Sequence, residues 1–128
     1  KKILLYFYPK DMTPGCTTET IGFQLLKLEF EKENTIIIGI SKDSVISHEK
    51  FCNKHDLDII LLSDTEVKTI QDYGVWQEKS MFGKKYMGIS RESFLINETG
   101  TMVQHWAKVK PVSHPQQVLE YIKENNNL

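Results

Sequence analysis

At 128 residues, with 16 basic and 17 acidic side chains and a formal net charge of −1, the chain is sized for one domain around one core. That balance lacks the basic excess of a nucleic-acid or anionic-membrane binder. No apolar run reaches membrane-spanning length, and two cysteines are too few for a secreted disulfide scaffold. Residues 1–128 therefore read as a single domain of a cytoplasmic protein. The chain starts at Lys1 and enters a strand almost at once, so a native N-terminal segment is expected to be missing and a leader sequence stays open.

In chain order, the continuous apolar run over residues 3–8 predicts a buried strand ending at Pro9. Thr13 followed by Pro14 predicts a helix start, with a capping hydroxyl and then proline at the first helical position. Ile21, Leu25 and Leu28, together with Phe23, Leu26 and Phe30, carry that helix to about Glu33, where Asn34 closes it. Residues 35–40 form a second buried strand. Ser44 caps a helix to about Asp56, with Val45, His48, Phe51, Cys52 and His55 near one face. A third strand covers residues 59–62, and a short helix covers residues 64–73 and ends at Gly74. Residues 74–88 read as a loop rich in aromatic and basic side chains. Residues 93–96, the turn 97–100 and residues 101–106 predict a hairpin. Val118, Leu119 and Ile122 mark a final amphipathic helix, followed by a frayed tail at Asn125, Asn126 and Asn127. Alternating strands and helices imply an α/β fold with a largely parallel sheet covered on both faces, made mixed by the hairpin. A thioredoxin-like architecture satisfies this order. A flavodoxin-like sheet is the nearest competitor, but it would want a phosphate-binding loop after the first strand, and that turn holds a single glycine.

The turn reads Pro9-Lys10-Asp11-Met12-Thr13-Pro14-Gly15-Cys16. A cysteine on the first turn of a helix faces backbone N–H groups and the positive end of the helix dipole, the setting of a nucleophilic thiol. Thr13-Pro14-Gly15-Cys16 has the spacing of a C-x-x-C redox motif with threonine in the first place, so a two-sulfur reductase cannot operate at this turn. A thiol and a hydroxyl remain, and both have uses in attack on a peroxide O–O bond. For any thiol, lowering the pKa from ~8.5 to ~6 raises the thiolate fraction at neutral pH roughly 30-fold. Intrinsic nucleophilicity falls roughly tenfold over the same change. Fast chemistry therefore needs fixed groups that stabilise the departing oxygen, and an arginine with a hydroxyl would suit.

The segment Tyr6-Phe7-Tyr8-Pro9-Lys10-Asp11-Met12-Thr13-Pro14-Gly15-Cys16-Thr17-Thr18-Glu19 resembles the active-site segment of peroxiredoxins, nearest to the peroxiredoxin Q or bacterioferritin comigratory subfamily. Leu61-Leu62-Ser63-Asp64, Tyr73-Gly74-Val75-Trp76 and the stretch from Gly83 to Arg91 extend the likeness along most of the chain. The resemblance implies a thioredoxin-like fold and a thiol-dependent peroxidase acting on hydrogen peroxide and alkyl hydroperoxides. Cys16 would be the peroxidatic cysteine, and Thr13 would hydrogen-bond the sulfur and the peroxide. Pro9 would shield the pocket, Arg91 would be the active-site arginine, and Glu19 would belong to the supporting network. No metal, haem or flavin is implied; thioredoxin is the implied reductant and a monomer the implied state.

Many members of that subfamily carry a resolving cysteine five residues after the peroxidatic one, where this chain has Ile21. Another branch places it on the next helix, so Cys52 resembles the resolving cysteine of an intramolecular (atypical 2-Cys) disulfide. Other readings stand beside these. Cys16 could be an inert buried thiol, and Cys52 a small core hydrophobe. His48, Cys52 and His55 have helical spacing for a metal, though a packed face with partly buried histidines is the preferred account. Arg91 could sit in a surface ion pair, and Glu19 could simply favour the helix dipole. Trp76, Phe82 and Tyr86 are expected to anchor a long loop to the core rather than dock a partner. Trp106 is expected to pack at the core or rim, and Lys84-Lys85 to be solvated. A protein disulfide oxidoreductase and a thioredoxin-like binding or holdase module are the rival functions.

Overall fold

A computed structural model of the chain describes residues 1–125. In chain order it contains β1 (Lys2–Phe7), α1 (Pro14–Leu25), α2 (Lys27–Lys32), β2 (Thr35–Ser41), α3 (Val45–His55), β3 (Ile60–Ser63) and α4 (Lys68–Asp72). β4 (Trp76–Met81), β5 (Lys84–Ile89), β6 (Glu92–Ile96), β7 (Met102–Trp106) and α5 (His114–Glu124) follow. The main sheet runs β3-β2-β1-β6-β7, with β4-β5 as a separate two-stranded sheet. β1 pairs in parallel with β2 and antiparallel with β6. Its central place explains its unbroken apolar sequence, because both faces are covered.

Side-chain alternation divides that cover. Leu4, Tyr6 and Tyr8 face a cluster with Cys16, Phe23 and Phe30 of α1 and α2 and with Val118, Leu119 and Ile122 of α5. Leu5 and Phe7 face Ile40 of β2, Phe94 of β6, and Ile70, Val75 and Ile89 in or beside α4 and the β4-β5 hairpin. Gly39 of β2 lacks a side chain for a packing reason. A Cβ there would stand 2.7 Å from the Tyr6 ring, and Tyr6 uses that space to share a 2.9 Å hydrogen bond with the Thr20 hydroxyl of α1.

The mixed α/β sheet and the helix order are those expected, and three local expectations are corrected. The helix predicted from residue 13 to 33 is two helices, because Leu26 leaves helical geometry (φ −100°, ψ 5°). The break turns Phe30 fully inward while Leu25 and Leu28 stay exposed; the inward face of α1 is set by Cys16, Glu19, Thr20 and Phe23. The predicted 74–88 loop is a hairpin closed by Phe82 (φ 53°) and Gly83 (φ 78°). Two positive φ values suit the twist of a tight hairpin. The strands are hard to read in sequence because most of their side chains meet water, which removes the period-2 alternation. Of the three aromatics expected to anchor this segment, only Trp76 packs on the core; Phe82 is 98% exposed and Tyr86 is exposed. As an edge strand, β3 leaves Ile60 and Leu62 exposed. Asn125 closes α5 through its own amide to the Tyr121 carbonyl, and Asn126 and Asn127 lie outside the described residues.

Candidate active site

The site forms where β1 runs out. Tyr8 N–H still donates to the Ile40 carbonyl of β2; the chain then turns through Pro9 and Met12 (φ 68°) into α1. Pro14 starts the helix as expected. Thr13 occupies the N-cap position, but its hydroxyl donates to the Lys10 carbonyl at 2.8 Å and makes no capping bond. The expected hydrogen bond from Thr13 to the sulfur is therefore not the one this hydroxyl makes: its proton is committed, and its lone pairs remain as acceptors. Pro9 is half-buried in the same turn, and Cys16 on the first turn of α1 is fully buried.

Arg91 reaches this helix from far along the chain, on the link between β5 and β6. Its backbone is held by Ser90 N–H donating to Val75 O (2.7 Å) and Val109 N–H donating to Arg91 O (3.3 Å). The guanidinium forks, with Nη2 donating to Cys16 Sγ at 3.4 Å and Nη1 to Glu19 Oε1 at 2.8 Å. This approach explains Gly15, since a Cβ there would stand 3.0 Å from Nη2. Burial works against the Arg91 charge, but Cys16 and Glu19 together outweigh it and hold the group above its ordinary pKa. Glu19 is fully buried, and burial lifts it to about 7 against the pull of Arg91. Among the described residues its Oε2 has no hydrogen-bond partner, a costly arrangement for a charged carboxylate. Lys79 of β4 feels the same cluster: burial and then Arg91 lower its pKa, and Cys16 opposes them.

A second buried polar cluster stands at the start of the same turn. Asp11 Oδ1 accepts from the Tyr8 hydroxyl at 2.6 Å, and Oδ2 accepts from Ser47 Oγ at 2.8 Å and His48 Nδ1 at 2.7 Å. Asp11 N–H donates to Asp43 Oδ2, which also accepts from the Ser41 hydroxyl. His48 Nε2 faces the Leu62 carbonyl at 3.2 Å. Both ring nitrogens thus face acceptors, which an imidazolium satisfies and a neutral ring does not. Burial opposes that charge, but Asp11 outweighs it and raises His48. The carboxylate of Asp11 is in turn held low, with burial opposing and His48, Tyr8 and Ser47 prevailing. Among the described residues, Asp11, Asp43 and His48 are close enough together to share a metal, but their oxygens and nitrogens already serve one another. The His48, Cys52 and His55 set weighed from spacing is not assembled; His55 stacks edge-on with Phe51.

Sequence reasoning found Cys16, Glu19 and Arg91, which the fold brings together, and Thr13 and Pro9, which line the turn. Cys52 lies on α3 as a half-buried free thiol, and Cys16 is free as well. Burial, then the carboxylates of Asp11 and Asp58, push the Cys52 thiol up. Sequence reasoning missed the Asp11–His48 pair and the reason for Gly15. Both residues of the pair were in view, one inside the Cys16 turn and one as a possible ligand, but their contact joins different elements.

Comparison with known proteins decides the family. The AhpC/TSA family pattern matches residues 1–105. The chain belongs to this family. It is 47% identical to a peroxiredoxin Bcp of Bacillus subtilis over 97% of the chain and 79% of the relative. A putative peroxiredoxin bcp of Coxiella burnetii is also 47% identical, over 93% of the chain and 79% of the relative. Among solved structures, a bacterioferritin comigratory protein of Xanthomonas campestris, studied for alkyl peroxide reduction, superposes with a TM-score of 0.92. It shares 41% identity and is covered over 80% of its length by 98% of this chain. The protein is a peroxiredoxin of the Bcp or Q type, with the thioredoxin-like fold of those structures. No described helix is long and apolar enough to cross a membrane.

Proposed function

We propose that this peroxiredoxin reduces hydrogen peroxide and alkyl hydroperoxides at Cys16. The observation that carries the reading is the Arg91 fork, which aims one nitrogen at the sulfur and ties the other to a buried carboxylate. The Cys16 thiolate attacks the terminal peroxide oxygen. An S–O bond forms, the O–O bond breaks, and the leaving oxygen takes a proton to become water or an alcohol, leaving a sulfenic acid. Arg91 stabilises charge on sulfur and on the departing oxygen. Thr13, whose proton is committed to Lys10, accepts the hydroperoxide O–H and so orients it. Pro9 limits water at the turn, and Glu19 positions Arg91.

Cys52 is the resolving cysteine in this reading. Its sulfur attacks the sulfenic sulfur, hydroxide leaves with a proton as water, and a Cys16–Cys52 disulfide results. Thioredoxin then returns both thiols, and the enzyme works as a cytoplasmic monomer. Stopped-flow oxidation of the reduced protein with one equivalent of hydrogen peroxide, followed by intact mass, tests this. Fast oxidation with loss of two hydrogens is expected. Cys16→Ser should stop the reaction, and Cys52→Ser should leave a sulfenic acid. Oxidation of wild type no faster than a free thiol sinks the peroxidase assignment to Cys16.

A further inference from the structure

Disulfide geometry brings two α-carbons within about 7 Å. In this structure both thiols are free, one locked beside Arg91 on α1 and the other on α3. Cys16 is fully buried in the core cluster beside Arg91, while Cys52 lines a surface pocket with Val45, Glu49 and Asn53, so joining the two sulfurs requires a segment around one cysteine to leave its place. The Asp11–His48 pair spans the two segments concerned. Asp11 lies in the turn that leads into Cys16, and His48 stands one helical turn before Cys52 on α3. The pair is buried, with side-chain exposures of 1% and 6%. Ser47, also on α3, adds a second bond to the same carboxylate, and the Leu62 carbonyl of β3 holds the far side of the ring.

We infer that the buried Asp11–His48 pair is a latch that holds the Cys16 turn and α3 in the peroxide-reactive arrangement and so sets the rate at which the sulfenic acid is resolved. The inference rests on the reading of Cys52 as the resolving cysteine. An intact buried pair is worth keeping only as a unit, because loss of one partner strands the other charge in the interior. Opening α3 or the turn separates the partners, so the latch stabilises the closed state and not the open one. The hydrogen bonds of His48 go to Asp11, Tyr8 and the Leu62 carbonyl. His48 is a positioning residue, and its removal should act on the second step and spare the first.

The test follows sulfenic acid and disulfide by rapid quench, alkylation and intact mass after one equivalent of hydrogen peroxide. It compares wild type, His48→Ala, His48→Asn, Ser47→Ala and Cys52→Ser. In His48→Ala the disulfide should form about tenfold faster, the change that a loss of 1.4 kcal/mol from the barrier would give, with the oxidation step within about twofold of wild type. His48→Asn, whose amide N–H can reach Asp11, should return most of the wild-type rate; general loosening of the fold would not respond to that rescue. Ser47→Ala removes one bond and keeps the charges, so a smaller acceleration is expected, and it serves as the readout if His48→Ala does not fold. A Cys52-dependent disulfide whose rate ignores both substitutions, or slows with them, overturns the latch alone. A wild-type sulfenic acid that lives as long as that of Cys52→Ser overturns the resolving role and the latch with it.

Discussion

Two buried ion pairs stand at the two ends of one short turn, and they are built differently. At the Cys16 end, Arg91 divides its guanidinium between a sulfur and one oxygen of Glu19, and the other oxygen has no partner among the described residues. At the Asp11 end, both carboxylate oxygens and both ring nitrogens are used. The first pair shifts its carboxylic acid up to about 7, whereas the second holds Asp11 low and His48 high. A satisfied pair stabilises a conformation, and an unsatisfied one keeps free energy available for a bound partner or a charge change. In the proposed reading, Asp11–His48 holds and Arg91–Cys16 carries the chemistry.

The largest expected effect separates those roles. Arg91→Ala should slow Cys16 oxidation by about 10²–10³-fold, the usual penalty for losing one preorganised charge-stabilising donor, with a far smaller change in urea stability. The contrast fails if stability falls and the rate does not. Asp11→Ala should show the opposite balance. It strands an imidazolium and should cost about 3 kcal/mol in equilibrium unfolding.

The signs of the titrations provide a finer cut. Asp11 is depressed in the fold, so its stabilisation is present above its unfolded pKa and lost as pH falls through the folded one. His48 is raised, so its contribution is full below its unfolded pKa and lost as pH rises through the folded one. The pair's contribution should therefore plateau between the two, and both of its shoulders should vanish in Asp11→Ala, as read by melting temperature against pH. Glu19 runs the other way for an acid. Its folded pKa is raised from 4.5 to about 7, so it weakens the fold as pH climbs through that interval. In Glu19→Gln the loss of stability across that interval should disappear. Any step that Glu19 imposes on the rate of Cys16 oxidation near pH 7 should be missing from Glu19→Gln.

Smaller effects test the framing. Gly15→Ala must displace Arg91 by a few tenths of an ångström, and about a tenfold slower oxidation is expected from such a misplacement. Phe82→Ser at the exposed hairpin tip should change stability by less than about 0.5 kcal/mol. A large loss there would show that the hairpin takes part in the fold beyond its own two strands.

What local chemistry announces was open to the sequence. An unbroken apolar run marked β1 as a buried strand, Pro14 marked the start of α1, and Ser44 marked that of α3, whose hydroxyl accepts from Ser47 N–H as a cap should. The Cys16 turn also carried its own signature, because the thiol, the hydroxyl and the helix start are adjacent in the chain. The β4-β5 hairpin was lost, since exposed strands lack the alternation that burial imposes. The break at Leu26 was lost as well, because an apolar stripe does not say which of its members the tertiary contacts will bury. Arg91 could be named only by resemblance; nothing within its own stretch says that its side chain meets Cys16. The Asp11–His48 pair lies beyond any local reading. It exists because the parallel pairing of β1 with β2 sets the end of one strand beside the helix that follows the other. Sequence alone determined most of the elements and singled out Cys16 as the candidate thiol, because those signals are short-range. Only the tertiary structure decided which distant charges that thiol and its turn would meet, because burial and pairing of charge depend on where the sheet order brings the segments together.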